Sequence, residues 1–172
     1  PFCALLLRKM VSSGLEPNTA TFNTVIKAQT EKLTPETLDS ATQVFKMMNA
    51  TSYAEADRQT YGMLIRALAD SQRPRDAEAL LRRMRASGLI PDVSLFTTTV
   101  ASYERASQPL DALRLMESMR EDGFDFYESK LLNAAFKNAV KLANDVTQRL
   151  TGSPSNDTDI FFKEDEYGRW RR

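Results

Sequence analysis

The side chains that most often carry chemistry are scarce in this chain. None of its 172 residues is a histidine and Cys3 is its single cysteine, so the commonest general base and the commonest metal ligand are missing. Neither an intramolecular disulfide nor a cysteine-rich zinc site can be built from one thiol. The sequence contains no glycine-rich phosphate loop and no Gly-x-Ser-x-Gly elbow. Its carboxylates fall beside Lys or Arg at helical spacing, the pattern of solvated helix faces. The expectation is a binding protein and not an enzyme, with no catalytic residue, metal, cofactor or small-molecule substrate. The 23 basic residues are balanced by 23 acidic ones, so affinity for phosphate would rest on a local stripe of cations and not on overall charge. No apolar run approaches the ~20 residues that cross a bilayer, so no transmembrane segment is predicted.

What must position the remaining side chains is a repeated pair of helices. One ladder of apolar residues runs Cys3, Leu6, Leu7, Met10; then Ala41, Val44, Phe45, Met48; then Ala77, Leu80, Leu81, Met84; then Ala112, Leu115, Met116, Met119. Each rung has the i, i+3, i+4, i+7 spacing of one helix face. A second ladder interleaves with it: Phe22, Val25, Ile26; Tyr61, Leu64, Ile65; Phe96, Thr99, Val100; Leu131, Ala134, Ala135. Both recur roughly every 35 residues, which is two helices per repeat. The methionines at the rung ends are read as core between hairpins.

Punctuation shares this register. Gly14, Gly88 and Gly123 fall four residues after a ladder methionine, where a helix closing in the left-handed conformation favours glycine. Pro35, Pro74 and Pro109 suit the starts of second helices, and Asn18, Asp57 and Asp92 suit the caps of first helices. These signals predict an all-α fold: a right-handed α-α superhelix, or solenoid, of about three full helical hairpins with flanking half-repeats. Residues 2–13 would be a lone second helix. Pairs would follow over about 19–51, 58–87 and 93–122, with a last helix from near Glu128 to about Leu150, broken near Asn144. Residues 1–150 form the expected repeat domain, and 151–172 a linker and C-terminal extension that orders against a partner or the solenoid end. The chain begins at Pro1 within a helical pattern, as expected of a processed or partial chain.

The segments Gly88-Leu89-Ile90-Pro91-Asp92 and Gly14-Leu15-Glu16-Pro17-Asn18, the latter followed by Thr21-Phe22-Asn23-Thr24-Val25-Ile26, resemble the pentatricopeptide repeat. So do Asp76-Ala77-Glu78-Ala79-Leu80-Leu81 and Asp111-Ala112-Leu113-Arg114-Leu115-Met116. The resemblance covers about residues 3–140. The Gly-x-x-Pro-Asp ending separates it from the tetratricopeptide repeat. It implies an organellar protein that binds single-stranded RNA, each repeat reading about one base with side chains from its first helix and its last residue.

Carried onto this chain, the resemblance places the reading positions at Asn23, Gly62, Thr97 and Leu132, with last-position partners Asp57, Asp92 and Tyr127. Asn23 with Asp57 is similar to the family's uracil-preferring pair. Gly62 offers no side chain to pair with Asp92, Thr97 faces an unusual partner in Tyr127, and Leu132 offers no hydrogen bond. The positions that normally sandwich bases hold Ala20, Gln59, Ser94 and Ser129, poor stacking surfaces. One turn on stand Lys27, Arg66, Ala101 and Phe136, where Lys27 and Arg66 can meet phosphates, with Lys137 and Lys141 nearby. Asp57 and Asp92 serve equally as simple helix caps, and Arg82, Arg83 and Arg85 as a solvated outer face.

Two functions follow from these residues. In one, the protein binds organellar RNA and supports transcript stability, processing or translation. In the other, it is a non-catalytic adaptor held among the protein subunits of a large organellar complex, such as a ribosome or a photosynthetic or respiratory assembly. In that case the tail residues Phe161, Phe162, Tyr167, Trp170 and Arg171 clasp neighbours. Family abundance favours the plastid slightly over the mitochondrion.

Overall fold

The computed structural model describes residues 2–121, 123, 130–151, 163–164 and 170–171. They form α1 (Phe2–Ser12), α2 (Thr19–Thr30), α3 (Pro35–Asn49), α4 (Arg58–Asp70), α5 (Pro74–Ala86), α6 (Val93–Arg105), α7 (Pro109–Glu121) and α8 (Lys130–Thr151), then the short strands β1 (Lys163–Glu164) and β2 (Trp170–Arg171). The chain divides into two compact units, Pro1–Ser102 and Tyr103–Arg172, with the boundary inside α6.

In the first unit α2 packs on α3 and α4 on α5, while α4 also touches α2 and α3 of the preceding pair. The two ladders meet there. Phe22, Ile26, Ala41, Phe45, Met48, Tyr61, Ile65, Ala77, Leu81 and Met84 are all buried, as expected of amphipathic helices that cover their stripes against neighbours. The α1 stripe departs from this: Leu7 is buried, but Leu6 stays 52% exposed.

Helix ends explain where each element stops. Asn18 Oδ1 accepts from the Thr21 N–H at 2.9 Å, and Asp92 Oδ1 from the Leu95 N–H at 2.8 Å. Thr34 with Thr37, and Asp57 with Thr60, close reciprocal capping boxes. Pro35, Pro74 and Pro109 open their helices. Gly14 and Gly88 adopt φ of 75° and 76°, and the following residues, Leu15 and Leu89, donate back to Met10 and Met84 at 3.1 Å, closing Schellman turns. The turns inside the hairpins use the same backbone device without glycine. Leu33, Gln72 and Ser107, each two residues before a helix-opening proline, have φ of 46°, 57° and 56°. The longer connection between α3 and α4 borders a cleft of about 450 Å³ lined in part by Thr51, Ala54, Glu55 and Tyr61.

In the second unit α7 packs on α8, and Ala112, Leu115, Met116 and Met119 are buried. Contrary to the expected break near Asn144, α8 runs without interruption through that residue. Its buried stripe is Ala135, Phe136, Ala139 and Ala143, and Ala134 is exposed. The continuous apolar face outweighs the weak helix preference of one asparagine. In the tail, β1 and β2 pair antiparallel, Lys163 opposite Arg171 and Glu164 opposite Trp170. Phe161, Phe162 and Tyr167 lie outside the described residues.

Candidate nucleic-acid interface

The first-unit reading positions stand on α2, α4 and α6, and the first pair is physically joined. The Asn23 amide donates from Nδ2 to Asp57 Oδ1 at 3.2 Å and to Oδ2 at 3.3 Å. The Thr60 hydroxyl lies 2.6 Å from Asn23 Oδ1 and 2.8 Å from Asp57 Oδ1. It carries one proton, so it donates to one acceptor at a time, and the shorter distance favours Asn23 Oδ1. Asp57 Oδ1 is served regardless by the Thr60 N–H at 2.8 Å, while the Asp57 N–H donates to Thr60 Oγ1 at 3.2 Å. Asp57 is therefore a helix cap and a partner of Asn23 at once; the two readings of this residue coexist.

Burial alone pushes the Asp57 carboxyl up, but the hydrogen bonds from Thr60, Asn23 and the Gln59 backbone more than offset this and hold it below its usual range. Asn23 is only 7% exposed. Its second Nδ2–H and the carboxylate edge of Asp57 are what this pair has left to offer a ligand: a donor beside an acceptor. Thr60 was not singled out from the sequence, although the Asp-x-x-Thr spacing of a capping box marks it.

The next position is different. Gly62 is buried, and a Cβ built on it would stand 3.4 Å from Arg66 Nη1 and 3.9 Å from Leu95 Cδ2. The Arg66 side chain thus folds back one turn along α4 and lays its guanidinium over the glycine, the direction in which long helical side chains lean. Asp92 is exposed, with Oδ1 engaged in capping α6. Thr97 is half-buried and donates its hydroxyl to Val93 O at 2.8 Å, so its lone pairs remain but its proton is committed to its own helix.

Several cations have local carboxylate partners. Arg73, at the N-cap of α5, bridges Asp39 at 2.8 Å and Asp76 at 2.7 Å, and those hydrogen bonds, Asp39 first, raise its pKa. Arg82 pairs with Glu78, and Arg83 lies 5.3 Å from the centre of the Phe45 ring. On the first helices, Lys27 and Arg66 are exposed and make no ion pair among the described residues. The sandwich positions Ala20, Gln59 and Ser94 are also exposed.

In the second unit Phe136 is buried at 6% exposure. This corrects its expected place on the exposed reading face beside Lys27 and Arg66, because it belongs to the stripe that α8 turns towards its packing. Lys137 and Lys141 are exposed. Tyr127 and Ser129 lie outside the described residues, as does the side chain of Leu132. Among the described residues no group of three or more His, Cys, Asp or Glu is arranged to hold a metal ion, and no helix is long and apolar enough to cross a membrane.

The model of the pentacotripeptide-repeat region of PRORP matches residues 3–145. A chloroplastic pentatricopeptide repeat-containing protein of Arabidopsis thaliana is 29% identical over 98 residues, 57% of this chain and 20% of the relative. A mitochondrial one from the same plant is 31% identical over 86 residues, 50% of this chain and 19% of the relative. The chain thus spans about a fifth of the length of these curated relatives. Among solved structures, the pentatricopeptide repeat protein PPR10 from maize superposes with a TM-score of 0.60 at 20% identity, over 88% of this chain and 22% of that one. The same protein in complex with an 18-nt psaJ RNA element gives 0.56 at 19% identity, over 83% and 22%. Nuclear proteinaceous RNase P 2 from A. thaliana gives 0.66 at 14% identity, over 86% and 31%. At these identities the likeness is one of fold, an all-α helical-repeat solenoid.

Proposed function

This chain belongs to the pentatricopeptide-repeat family, and from that premise we propose that it binds single-stranded RNA along the face carrying Asn23, Lys27, Asp57 and Arg66, in support of transcript stability, processing or translation. Both curated relatives are organellar, one chloroplastic and one mitochondrial, and the location that goes with them is organellar.

The observation that carries the reading is the hydrogen-bonded junction of Asn23, Asp57 and Thr60, which spans two consecutive repeats. A donor beside an acceptor suits the uracil edge, whose carbonyl oxygens accept while N3–H donates. Lys27, one turn further along α2, adds a phosphate contact, and Arg66 at the matching place on α4 adds a second cation to the same face. Arg73 and Arg82, by contrast, already face carboxylates of the chain itself. The role is that of a binding protein, in keeping with a chain that has no histidine.

Titrating the chain with short labelled oligouridines at several salt concentrations tests this. Binding in about the micromolar range or tighter is expected at low salt. The Lys27→Ala/Arg66→Ala double variant should weaken it and flatten the slope of log K against log salt by about 0.7 per lost contact. No binding at low salt, or a double variant indistinguishable from the parent, would sink the reading and leave the adaptor role in its place.

A further inference from the structure

We propose that the guanidinium of Arg66, seated over Gly62, is the base-reading group of the second repeat and selects guanine. The inference rests on the RNA-binding reading and deepens it, by assigning a base to a repeat whose reading position is otherwise empty.

Gly62 has no side chain, and what fills the space above it is Arg66 Nη1, 3.4 Å from where a Cβ would stand. A Cβ at position 62 would meet that nitrogen at ordinary van der Waals distance, so the guanidinium occupies the place that any side chain reaching beyond Cβ would compete for. Arg66 is exposed and takes part in no hydrogen bond or ion pair among the described residues, so its donors are available to a ligand, unlike those of Arg73 or Arg82. A guanidinium presents N–H donors in a fixed planar fork with no acceptor. The edge that answers it has two adjacent acceptors. Guanine N7 and O6 form such an edge and are the commonest specific partner of arginine, whereas adenine sets a donor amine beside N7 and repels one arm of the fork. Uracil separates its two carbonyls by a donor N3–H. Cytosine N3 and O2 are the remaining adjacent pair and the natural competitor. Guanine is favoured because its fused ring carries the accepting edge further from the sugar, towards a guanidinium that is itself drawn back against the helix.

The test uses oligouridines carrying one central guanosine, adenosine, cytidine or uridine, titrated against the chain and against Arg66→Lys and Gly62→Ala. The parent should bind the guanosine RNA about tenfold tighter than the others, the discrimination of one bidentate contact. Arg66→Lys keeps the charge but not the fork, so most of the affinity and salt dependence should remain while the four RNAs approach parity. Gly62→Ala, whose Cβ meets Arg66 Nη1 at ordinary contact distance, should keep the preference while raising Tm by a few degrees, since alanine is the better helix former; a purely structural role for Arg66 would not make base preference depend on the fork. Equal binding of all four RNAs by the parent, a preference for cytidine, or a guanosine preference that survives Arg66→Lys would overturn this inference and leave general RNA binding standing. No binding of any RNA would overturn both.

Discussion

Phe45→Ala is expected to destabilise the chain by about 3–5 kcal/mol, the usual cost of truncating a buried aromatic, and to lower Tm by about 10 °C. Phe45 is 1% exposed. Its ring, on α3, meets Tyr61 of α4 edge to face at 5.3 Å and 73°, and the Arg83 guanidinium of α5 lies 5.3 Å from its centre. One side chain therefore ties a second helix to both helices of the following repeat. In repeat proteins stability is the sum of each unit and its interface with the next, so a cavity at this junction is felt on both sides. It also loosens α4, which carries Asp57, Gly62 and Arg66, so RNA affinity should fall together with stability. Phe45→Leu, which keeps most of the volume, should cost only about 1.5 kcal/mol. Urea midpoints of the two variants check the ratio.

Asp57→Ala should cost about 2–3 kcal/mol, because one carboxylate serves two structures. The variant loses the cap of α4, worth about 1 kcal/mol, and leaves the buried Asn23 amide without its acceptor, which adds about 1–2 kcal/mol. Uridine-RNA affinity should fall about tenfold with the loss of one hydrogen-bonded base contact. A pH dependence follows from the lowered pKa of Asp57 relative to the ordinary 3.8. A carboxyl whose folded value lies below its unfolded value stabilises the fold at neutral pH, and that stabilisation disappears as pH falls from the unfolded value through the folded one. The stability gap between the parent and Asp57→Asn should therefore be constant above about pH 5 and narrow towards pH 3. Urea midpoints at the two ends measure it; a gap that widens in acid would mean that the hydrogen bonds do not hold the charged form.

The hairpins were legible because their requirements are local. Gly14 and Gly88 sit where the backbone turns left-handed, and Pro35, Pro74 and Pro109 open helices; a side chain's absence or ring announces both. Gln72 and Ser107 adopt the same left-handed conformation but carry no such mark, so the hairpin turns were located without their geometry. The reading positions came with the family resemblance, and Asn23 and Asp57 do meet. What one dimension hid were groups that act at a distance from their own position. Gly62 read as an empty site, yet Arg66 covers it; the i, i+4 relation permits that fold-back without requiring it. Thr60 went unremarked in the sequence, and only the approach of α2 brings Asn23 to its hydroxyl. Phe136 was placed on the reading face with Lys27 and Arg66 by extrapolating the first-helix register into α8, where the buried stripe of Ala135, Phe136, Ala139 and Ala143 is turned relative to it.

The central claim is that RNA lies on the first helices, across the junction between consecutive repeats. Photocrosslinking of a 4-thiouridine-containing oligouridine to the intact chain, with the modified peptides mapped by mass spectrometry, tests it most directly. The account predicts crosslinks confined to the segments around Asn23–Lys27 and Asp57–Arg66, and their loss in Asn23→Ala. Crosslinks concentrated on α3 and α5, around Arg73 and Arg82–Arg85, or restricted to residues 152–172, would contradict it.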